Sequence, residues 1–201
     1  MTTHDFTHPV DTTPPKVCVI VIYHRDPDHR FLVELLESLQ NQSYPNIECI
    51  TFDNRESNHR MGHARNLAVQ QTDAPLCLFM AEDDMLVVDT IQSMVDMYQF
   101  AKRGELNHLV HVTTRTTALL EHGQTVQVPN LNAPGMYERQ YLLANPFDPS
   151  LDLRLDELQA GNMARLAQLH KHPVTFATTH HYGYILRAHP FRRDTIRINQ
   201  R

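Results

Sequence analysis

The sequence predicts an α/β fold in which a mostly parallel central sheet is flanked by helices and followed by a smaller mixed C-terminal part. Two observations predict it. Short apolar runs rich in β-branched residues alternate with segments of helical periodicity, and the connections between them are short. This alternation is typical of βαβ units, whose right-handed crossovers place helices on the faces of a parallel sheet. Because the 201 residues contain no internal repeat or long linker, one domain is expected.

The first expected elements are a strand and a helix. Residues 16–23, "KVCVIVIY", form a continuous apolar run that suits a strand covered on both faces. Asp26 and Pro27 have the residue types of a helix N-cap and a first helical position. Apolar residues at helical spacing follow in 30–42, so a helix is expected there.

The same alternation continues along the chain. It predicts, in order, a strand at 46–52, a helix at 62–71, a strand at 75–80 and a helix from about Asp89. The second half is less regular, and it predicts strands at 108–114, 125–128, 174–178 and 182–186 with helices at 136–144 and 156–170. We therefore expect a flexible leader at 1–15 and a domain at 16–201, divided into halves at 16–103 and 104–201.

The charge balance argues against a general affinity for nucleic acid or membrane. The formal net charge is −5, so no global positive field is expected. The exception is the stretch 187–201, whose five arginines and one acid either grip a phosphate-rich ligand or are simply solvated. No run reaches the ~18–20 apolar residues that span a bilayer, and the N-terminus lacks the basic start and apolar core of a signal peptide.

The three cysteines, Cys18, Cys49 and Cys77, lie inside apolar, strand-like runs. Their odd number and wide spacing match neither a disulfide framework nor a metal site. We expect each to behave as a small buried hydrophobe in a reducing, cytoplasmic location.

Polar residues follow the first three predicted strands: His24-Arg25-Asp26 after the first, Asp53-Asn54 after the second and Glu82-Asp83-Asp84 after the third. Because the carboxyl ends of parallel strands share one edge of a sheet, these groups are expected on the same rim, where ligands of such folds bind. Carboxylates there suit a hard divalent cation, which usually bridges to substrate phosphates. Acids after a strand also cap helices, so Asp84 has a purely structural alternative.

The order and spacing of these pieces resemble the family 2 glycosyltransferases, nucleotide-sugar-dependent enzymes of the GT-A fold. "VCVIVIYHRD" (17–26) looks like the family's opening strand and turn, and "LLESLQNQSYPNIECITFDN" (35–54) like its first helix and second strand. "GHARNLAV" (62–69) matches its Ala-Arg-Asn helix, and "LCLFMAEDDMLVVDTI" (76–91) lies where the family has Phe-Leu-Asp-Ala-Asp-Asp. Two later segments, 135–151 and 186–190, are similar to its Phe-Asp turn and its Tyr-Arg-x-His-Pro segment.

The resemblance implies inverting transfer of a sugar from a nucleoside diphosphate, most often UDP, to an acceptor hydroxyl. Residues 16–103 become the nucleotide-sugar-binding half and 104–201 the acceptor and catalytic half. The resemblance assigns the donor to Tyr23, Arg25, Asp53, Arg65, Asp83 and Arg187. It assigns a divalent metal, Mn²⁺ or Mg²⁺, to Asp83, Asp84 and His189, where the metal stabilises the leaving diphosphate.

The chain departs from the family pattern at two points. Ala81 stands where the usual Asp-x-Asp has its first acid, so metal binding rests on the two aspartates above, with Glu82 as a further candidate. The Glu-Asp pair that supplies the family's catalytic base occurs here in reversed order, as Asp156-Glu157. Either residue is a candidate base, and the open substitutes are Asp152, His180 and His181.

Two other functions and several acceptors remain open. A scaffold that has lost its base would bind nucleotide sugars without turnover. Nucleotidyl transfer would act on a triphosphate, although the Gly-rich first loop it favours has no counterpart in "YHRDPDHR" (23–30). The acceptor is a glycan, a lipid-linked sugar, a protein or a modified (hydroxymethylated) nucleic-acid base, and the lack of a membrane segment disfavours processive synthesis at a bilayer.

Overall fold

A computed structural model describes residues 13–23, 29–55, 59–102, 109–119, 123–132, 135–151, 174–179 and 182–187. Its strands are β1 (Val17–Tyr23), β2 (Ile47–Asp53), β3 (Leu76–Ala81), β4 (Met85–Leu86), β5 (Leu109–Thr113), β6 (Arg115–Leu119), β7 (Thr125–Asn132), β8 (Met136–Glu138), β9 (Val174–Thr178) and β10 (Tyr184–Arg187). Its helices are α1 (Arg30–Gln40), α2 (Met61–Gln70), α3 (Thr90–Lys102) and α4 (Arg139–Ala144). The described strands form a six-stranded sheet, in the order β2-β1-β3-β8-β5-β9, and a four-stranded sheet, in the order β4-β10-β6-β7.

The six-stranded sheet is mostly parallel, which confirms the predicted fold class. Strand β1 pairs in parallel with both β2 and β3, and β5 pairs in parallel with β9, while β8 runs antiparallel between β3 and β5. All seven residues of β1 are buried, as its unbroken apolar run predicts for a strand covered on both faces. The predicted α/β architecture, with a mostly parallel central sheet flanked by helices, is therefore present.

Alternation along β1 divides the core into two layers. Val17, Val19 and Val21 face one layer with the buried leucines of α1 and the apolar side of α3. Cys18 and Ile20 face the other layer, with the small buried residues of α2 and the aromatic side of α4. Because side chains alternate along a strand, a single apolar run supports helices on both faces of the sheet.

The structure corrects two predicted boundaries. Helix α1 begins at Arg30, later than Asp26 and Pro27 suggested, because His29 has a left-handed backbone (φ 55°) that cannot be part of a right-handed helix. The helix predicted at 136–144 is a strand followed by a helix, since β8 completes the hydrogen bonding between β3 and β5. Pairing across the sheet overrides the helical periodicity at this position.

The cysteines differ in part from expectation. Cys18 and Cys77 are buried, as predicted, but Cys49 is exposed because β2 is the edge strand of the sheet. Shortly before β1, the carbonyl oxygens of Pro14 and Pro15 accept hydrogen bonds from the Asn46 amide and the Tyr44 hydroxyl, respectively. The helix expected at 156–170 lies outside the described residues. No described helix is both long and apolar enough to cross a membrane.

Candidate functional site

The carboxyl ends of β1, β2 and β3 meet at one edge of the six-stranded sheet. In the parallel register Tyr23 is paired with Asp53, and Ile22 with Ala81 at the end of β3. The prediction that the three strand ends share one rim is therefore confirmed. Strand ends of this kind are where open α/β folds bind their ligands.

A charged and aromatic cluster lies at the ends of β1 and β2. Arg55 Nη2 donates to Asp53 Oδ2 at 2.7 Å, and Arg55 Nε donates to Oδ1 at 3.0 Å. The backbone N–H of Arg55 also donates to Oδ1 at 3.0 Å, while the Tyr23 hydroxyl donates to Oδ2 at 3.1 Å. The Arg55 guanidinium lies over the Tyr23 ring, 4.8 Å from its centroid. Three side chains therefore form one connected unit.

The electrostatics of this cluster follow from these contacts. Hydrogen bonds from the Arg55 side chain, then from its backbone N–H, hold the pKa of Asp53 below its ordinary value. Burial raises the pKa of Tyr23, and the hydrogen bond to the Asp53 carboxylate raises it further. Asp53 is therefore a carboxylate and Tyr23 a neutral hydrogen-bond donor at neutral pH.

Two neighbours support the cluster. His29, which among the described residues has the one positive φ outside glycine, packs edge-on against Tyr23 with ring centroids 5.5 Å apart. Asn54 is buried, and its amide pairs with the backbone of His59 in both directions, at 2.7 and 2.9 Å. The Asn54 N–H also donates to the Tyr23 carbonyl. The turn after β2 is therefore fixed to β1 and to the chain that leads into α2.

The three acids after β3 form a tight turn between the two sheets. The Asp84 N–H donates to the Ala81 carbonyl at 3.3 Å, which closes the turn. Glu82 and Asp84 are buried, Asp84 completely, whereas Asp83 is partly exposed. The Tyr184 hydroxyl, from β10, donates a short hydrogen bond to Asp84 Oδ2. Asp83 is thus the acid of this turn most open to a ligand among the described residues.

Strand β10 belongs to the four-stranded sheet and lies beside the strand that follows the acid turn. It pairs antiparallel with β4, which follows the acids directly, and in parallel with β6. The Gly183 carbonyl, just before β10, accepts hydrogen bonds from the Val87 N–H and from the Thr90 hydroxyl. A Cβ at Gly183 would lie 2.4 Å from Thr90 Oγ1 and 2.9 Å from Thr114 Oγ1, so only glycine fits.

Helix α2 holds Arg65 against two aromatic rings and contacts the turn at 147–151. Its Arg65 guanidinium lies 4.7 Å from the Phe79 ring centroid and 5.2 Å from that of Phe147. Asn66 exchanges two hydrogen bonds of 2.9 Å with the backbone of Phe147. The Gly62 N–H donates to the Leu151 carbonyl at 2.9 Å. The turn at 147–151 is therefore anchored on the helix that carries Arg65.

The structure brings together some of the residues assigned from the sequence. Tyr23 and Asp53 are in direct contact, and the acid turn shares their rim. Arg65 packs on aromatic rings of the neighbouring core layer, and Arg187 ends β10, the strand that pairs beside the acid turn. The other assigned residues lie outside the described residues: Arg25, Asp156, Glu157, His189, and the substitutes Asp152, His180 and His181.

The sequence interpretation missed two residues of the rim. Arg55 makes most of the contacts to Asp53, and its signal was its position two residues after an acid at a strand end. Tyr184 contacts Asp84, and the sequence gives no local signal for that contact because 100 positions separate the two residues.

The oxygen donors of the acid turn fit a hard divalent cation in their chemistry. Carboxylate oxygens are the ligand type that such a cation prefers, and Asp83 is the partly exposed acid of the turn. Within the described ranges, no three His, Cys, Asp or Glu residues lie close enough together to hold a metal ion.

The fold resembles that of the glycosyltransferase TarS of S. aureus. The crystal structure of TarS 1–349 with UDP-GlcNAc gives a TM-score of 0.64 at 17% identity, covering 88% of this chain and 60% of that one. The complex with UDP gives 0.62 at 16% identity, covering 87% and 61%. A further TarS structure gives 0.62 at 17% identity, covering 87% of this chain and 37% of that one.

At this level of identity the likeness shows a shared glycosyltransferase fold. The chain spans 60–61% of the two TarS 1–349 complexes. No protein-family model and no curated protein sequence matches the chain.

Proposed function

We propose that the chain is a glycosyltransferase that moves a sugar from a nucleoside-diphosphate sugar, with UDP as the nucleotide, to an acceptor hydroxyl. The observation that carries the proposal is the shared rim of β1, β2 and β3, where the Tyr23–Asp53 contact and the Glu82–Asp84 turn occupy the ligand-binding edge. The shared fold supports it, since TarS has been crystallised with UDP and with UDP-GlcNAc. Membership of family 2, the GT-A class and inversion at the sugar belong to the same proposal.

The donor is bound along the rim from base to diphosphate. The cluster around Tyr23 and Asp53 takes the base and ribose end. Arg25, Arg65, Asp83 and Arg187 take the diphosphate and sugar end. Guanidinium groups suit this role because their planar forks match phosphate oxygens. Holding the donor in line with the acceptor removes much of the entropic barrier to reaction.

The acid turn supports a divalent metal as part of the proposal. Asp83, Asp84 and His189 would hold Mn²⁺ or Mg²⁺, which when bound neutralises charge on the departing diphosphate. The direction of β10 supports a contribution from the C-terminal segment. Because β10 is antiparallel to β4, the chain after Ile185 runs toward the side of Met85 on which the acids lie.

The catalytic base comes from the segment after the 147–151 turn, with Asp156 or Glu157 accepting the acceptor's proton. Such a group typically contributes ~10²–10⁴-fold to the rate. Gly62 and Asn66 anchor this turn on α2, the helix that carries Arg65. This supports the assignment, because the segment with the candidate bases then starts beside a residue proposed to bind the donor.

The proposal divides the chain into a donor half at 16–103 and an acceptor half at 104–201. Cys18 and Cys77 are register neighbours across β1 and β3 and remain free thiols. Burial raises the pKa of Cys18 to about 11 and that of Cys77 to about 12, so both are inert thiols. They support the proposed reducing, cytoplasmic location.

The test is a donor screen with two readouts. UDP-, GDP- and dTDP-sugars are compared by thermal shift, with Mn²⁺, Mg²⁺ or EDTA, and by release of the nucleoside diphosphate with candidate acceptors. We expect a UDP-sugar to stabilise the protein far more with metal than in EDTA, and to be turned over. The acceptor panel contains glycans, lipid-linked sugars, proteins and hydroxymethylated DNA.

The outcomes separate the remaining functions. Equal stabilisation in EDTA contradicts the metal site. Binding without release of diphosphate for any acceptor identifies a non-catalytic nucleotide-sugar-binding module. Release of pyrophosphate from a nucleoside triphosphate identifies nucleotidyl transfer instead.

A further inference from the structure

Asp53 has its hydrogen-bonding capacity filled by the protein itself. Oδ1 accepts from the backbone N–H and from Nε of Arg55, both at 3.0 Å. Oδ2 accepts from Arg55 Nη2 at 2.7 Å and from the Tyr23 hydroxyl at 3.1 Å. An ionised carboxylate offers about four lone-pair sites. A base N–H could therefore reach Asp53 only by displacing one of these donors.

The Tyr23 ring is covered as well. Arg55 lies over one face with its guanidinium carbon 4.8 Å from the ring centroid, and His29 packs edge-on at 5.5 Å. Only 8% of Tyr23 is exposed, compared with 39% of the Arg55 side chain. The face of the Tyr23 ring that Arg55 covers is therefore not available to stack on a base.

We propose that the donor's nucleobase stacks on the outer face of the Arg55 guanidinium, as the third layer above Arg55 and Tyr23. This inference rests on the proposed nucleotide-sugar donor and refines how Asp53 serves it. Asp53 becomes a positioning residue, which fixes the plane of the guanidinium through three side-chain contacts. Arg55 becomes the group that touches the base.

The chemistry of arginine suits this role. Its guanidinium is planar, always charged and weakly hydrated, so it stacks on aromatic planes on either face. Asp53 occupies the Nε–Nη2 edge of Arg55, and Nη1 lies 3.4 Å from His29 Nε2, so the flat face turned away from Tyr23 is the surface on which a base would stack. Stacking on a nucleobase is typically worth ~1–3 kcal/mol, which corresponds to a preference of roughly 5- to 150-fold for an aromatic base.

The test compares UDP with 5,6-dihydro-UDP in the full chain by calorimetry, with Mn²⁺ present. The reduced base keeps the two carbonyls and the single N–H of the uracil in UDP but loses the aromatic plane. We expect the wild-type protein to prefer UDP by about tenfold. Arg55→Ala and Arg55→Lys should both lose this preference, because lysine keeps the charge without the plane. Arg139→Ala is the matched control, since Arg139 lies at the opposite end of β3 from the rim, where its N–H donates to the Pro75 carbonyl and its Nε to the Val69 carbonyl.

Each outcome bears on one of the two claims. A wild-type protein that binds both ligands equally, or an Arg55→Lys variant that keeps the preference, overturns the stacking role and leaves the donor proposal intact. Weaker binding of both ligands by Asp53→Asn, with the affinity of Arg55→Ala for both unchanged, assigns the base to the carboxylate instead. A wild-type protein that binds neither ligand, nor any nucleoside diphosphate, overturns the proposed function itself.

Discussion

Tyr184 donates its hydroxyl hydrogen bond to the buried carboxylate of Asp84, a residue 100 positions earlier in the chain. The contact ties the four-stranded sheet to the acid turn that ends β3. Because Asp84 is fully buried, it depends on such donors to compensate for the loss of water. The orientation of this acid is therefore set by a residue outside the donor half.

Tyr184→Phe should weaken metal-dependent donor binding as well as stability. The change removes one hydroxyl and leaves the ring, so Asp84 loses a buried donor at a cost of about 1–3 kcal/mol in unfolding free energy. Urea unfolding measures the first effect, and a Mn²⁺ titration of UDP binding the second. Tyr182→Phe is the control, since the Tyr182 ring faces Arg115 and its hydroxyl has no role in the proposal. An unchanged titration would mean that Asp84 needs no positioning.

His189→Ala tests the third metal ligand. Two adjacent carboxylates leave a divalent ion with several open positions, and an added imidazole should tighten the complex. We expect the Mn²⁺ midpoint for UDP binding to rise about tenfold or more in the variant. If His189 is a structural residue beside Pro190, the variant will melt at a lower temperature and keep the wild-type midpoint.

Asp156→Asn and Glu157→Gln test the catalytic base. The amide that replaces the true base should retain donor affinity and lose ~10²-fold or more in turnover, because it can no longer accept the acceptor's proton. Single-turnover rates, measured beside donor affinity, separate the two effects. Full activity in both variants moves the base to Asp152, His180 or His181.

The pairing of Asp53 with Arg55 should make the folding stability of the protein decrease in acid. Because Arg55 depresses its folded-state pKa, Asp53 contributes stability that is fully present above the ordinary aspartate pKa of about 3.9. This contribution is lost as the pH falls through the lower folded-state pKa. The stability difference between wild type and Asp53→Asn should therefore stay constant from about pH 7 to 5 and shrink below about pH 4. Since the pair is partly exposed, the difference should be small. A difference that grows on acidification contradicts the pairing.

The first half of the fold could be predicted because its signals are local. The apolar run of β1 and the helical spacing of α1 each report burial within a few residues, and short connections imply parallel pairing. The rim then follows from geometry, since parallel strands end on the same side. The start of α1 could not be predicted, because no local pattern marks His29 as the residue whose backbone is left-handed.

The rest of the site depends on long-range pairing that no local pattern encodes. Strand β4 has two residues, too few for a periodic signal, and it exists because β10 lies beside it. The sequence of β8 continues directly into helix α4 and is predicted to be part of it. Pairing with β3 and β5 makes β8 a strand instead. Arg55 follows the acid at the end of β2 like an ordinary turn residue, and only the structure shows that Asp53 and the Tyr23 ring fix its guanidinium.

The pairing of β4 with β10 has a consequence for the order in which the molecule forms. Strands β1, β2 and β3 join neighbours in the chain, so their loops close at low entropic cost. The acid turn reaches its final shape only when Gly183 and Tyr184 arrive from far along the sequence. The pairing of β1, β2 and β3 should therefore form early and the acid turn late in folding. The amide hydrogens of the acid turn should exchange with solvent faster than those of β1, so the turn proposed to meet the diphosphate should open more readily than the strand beside it.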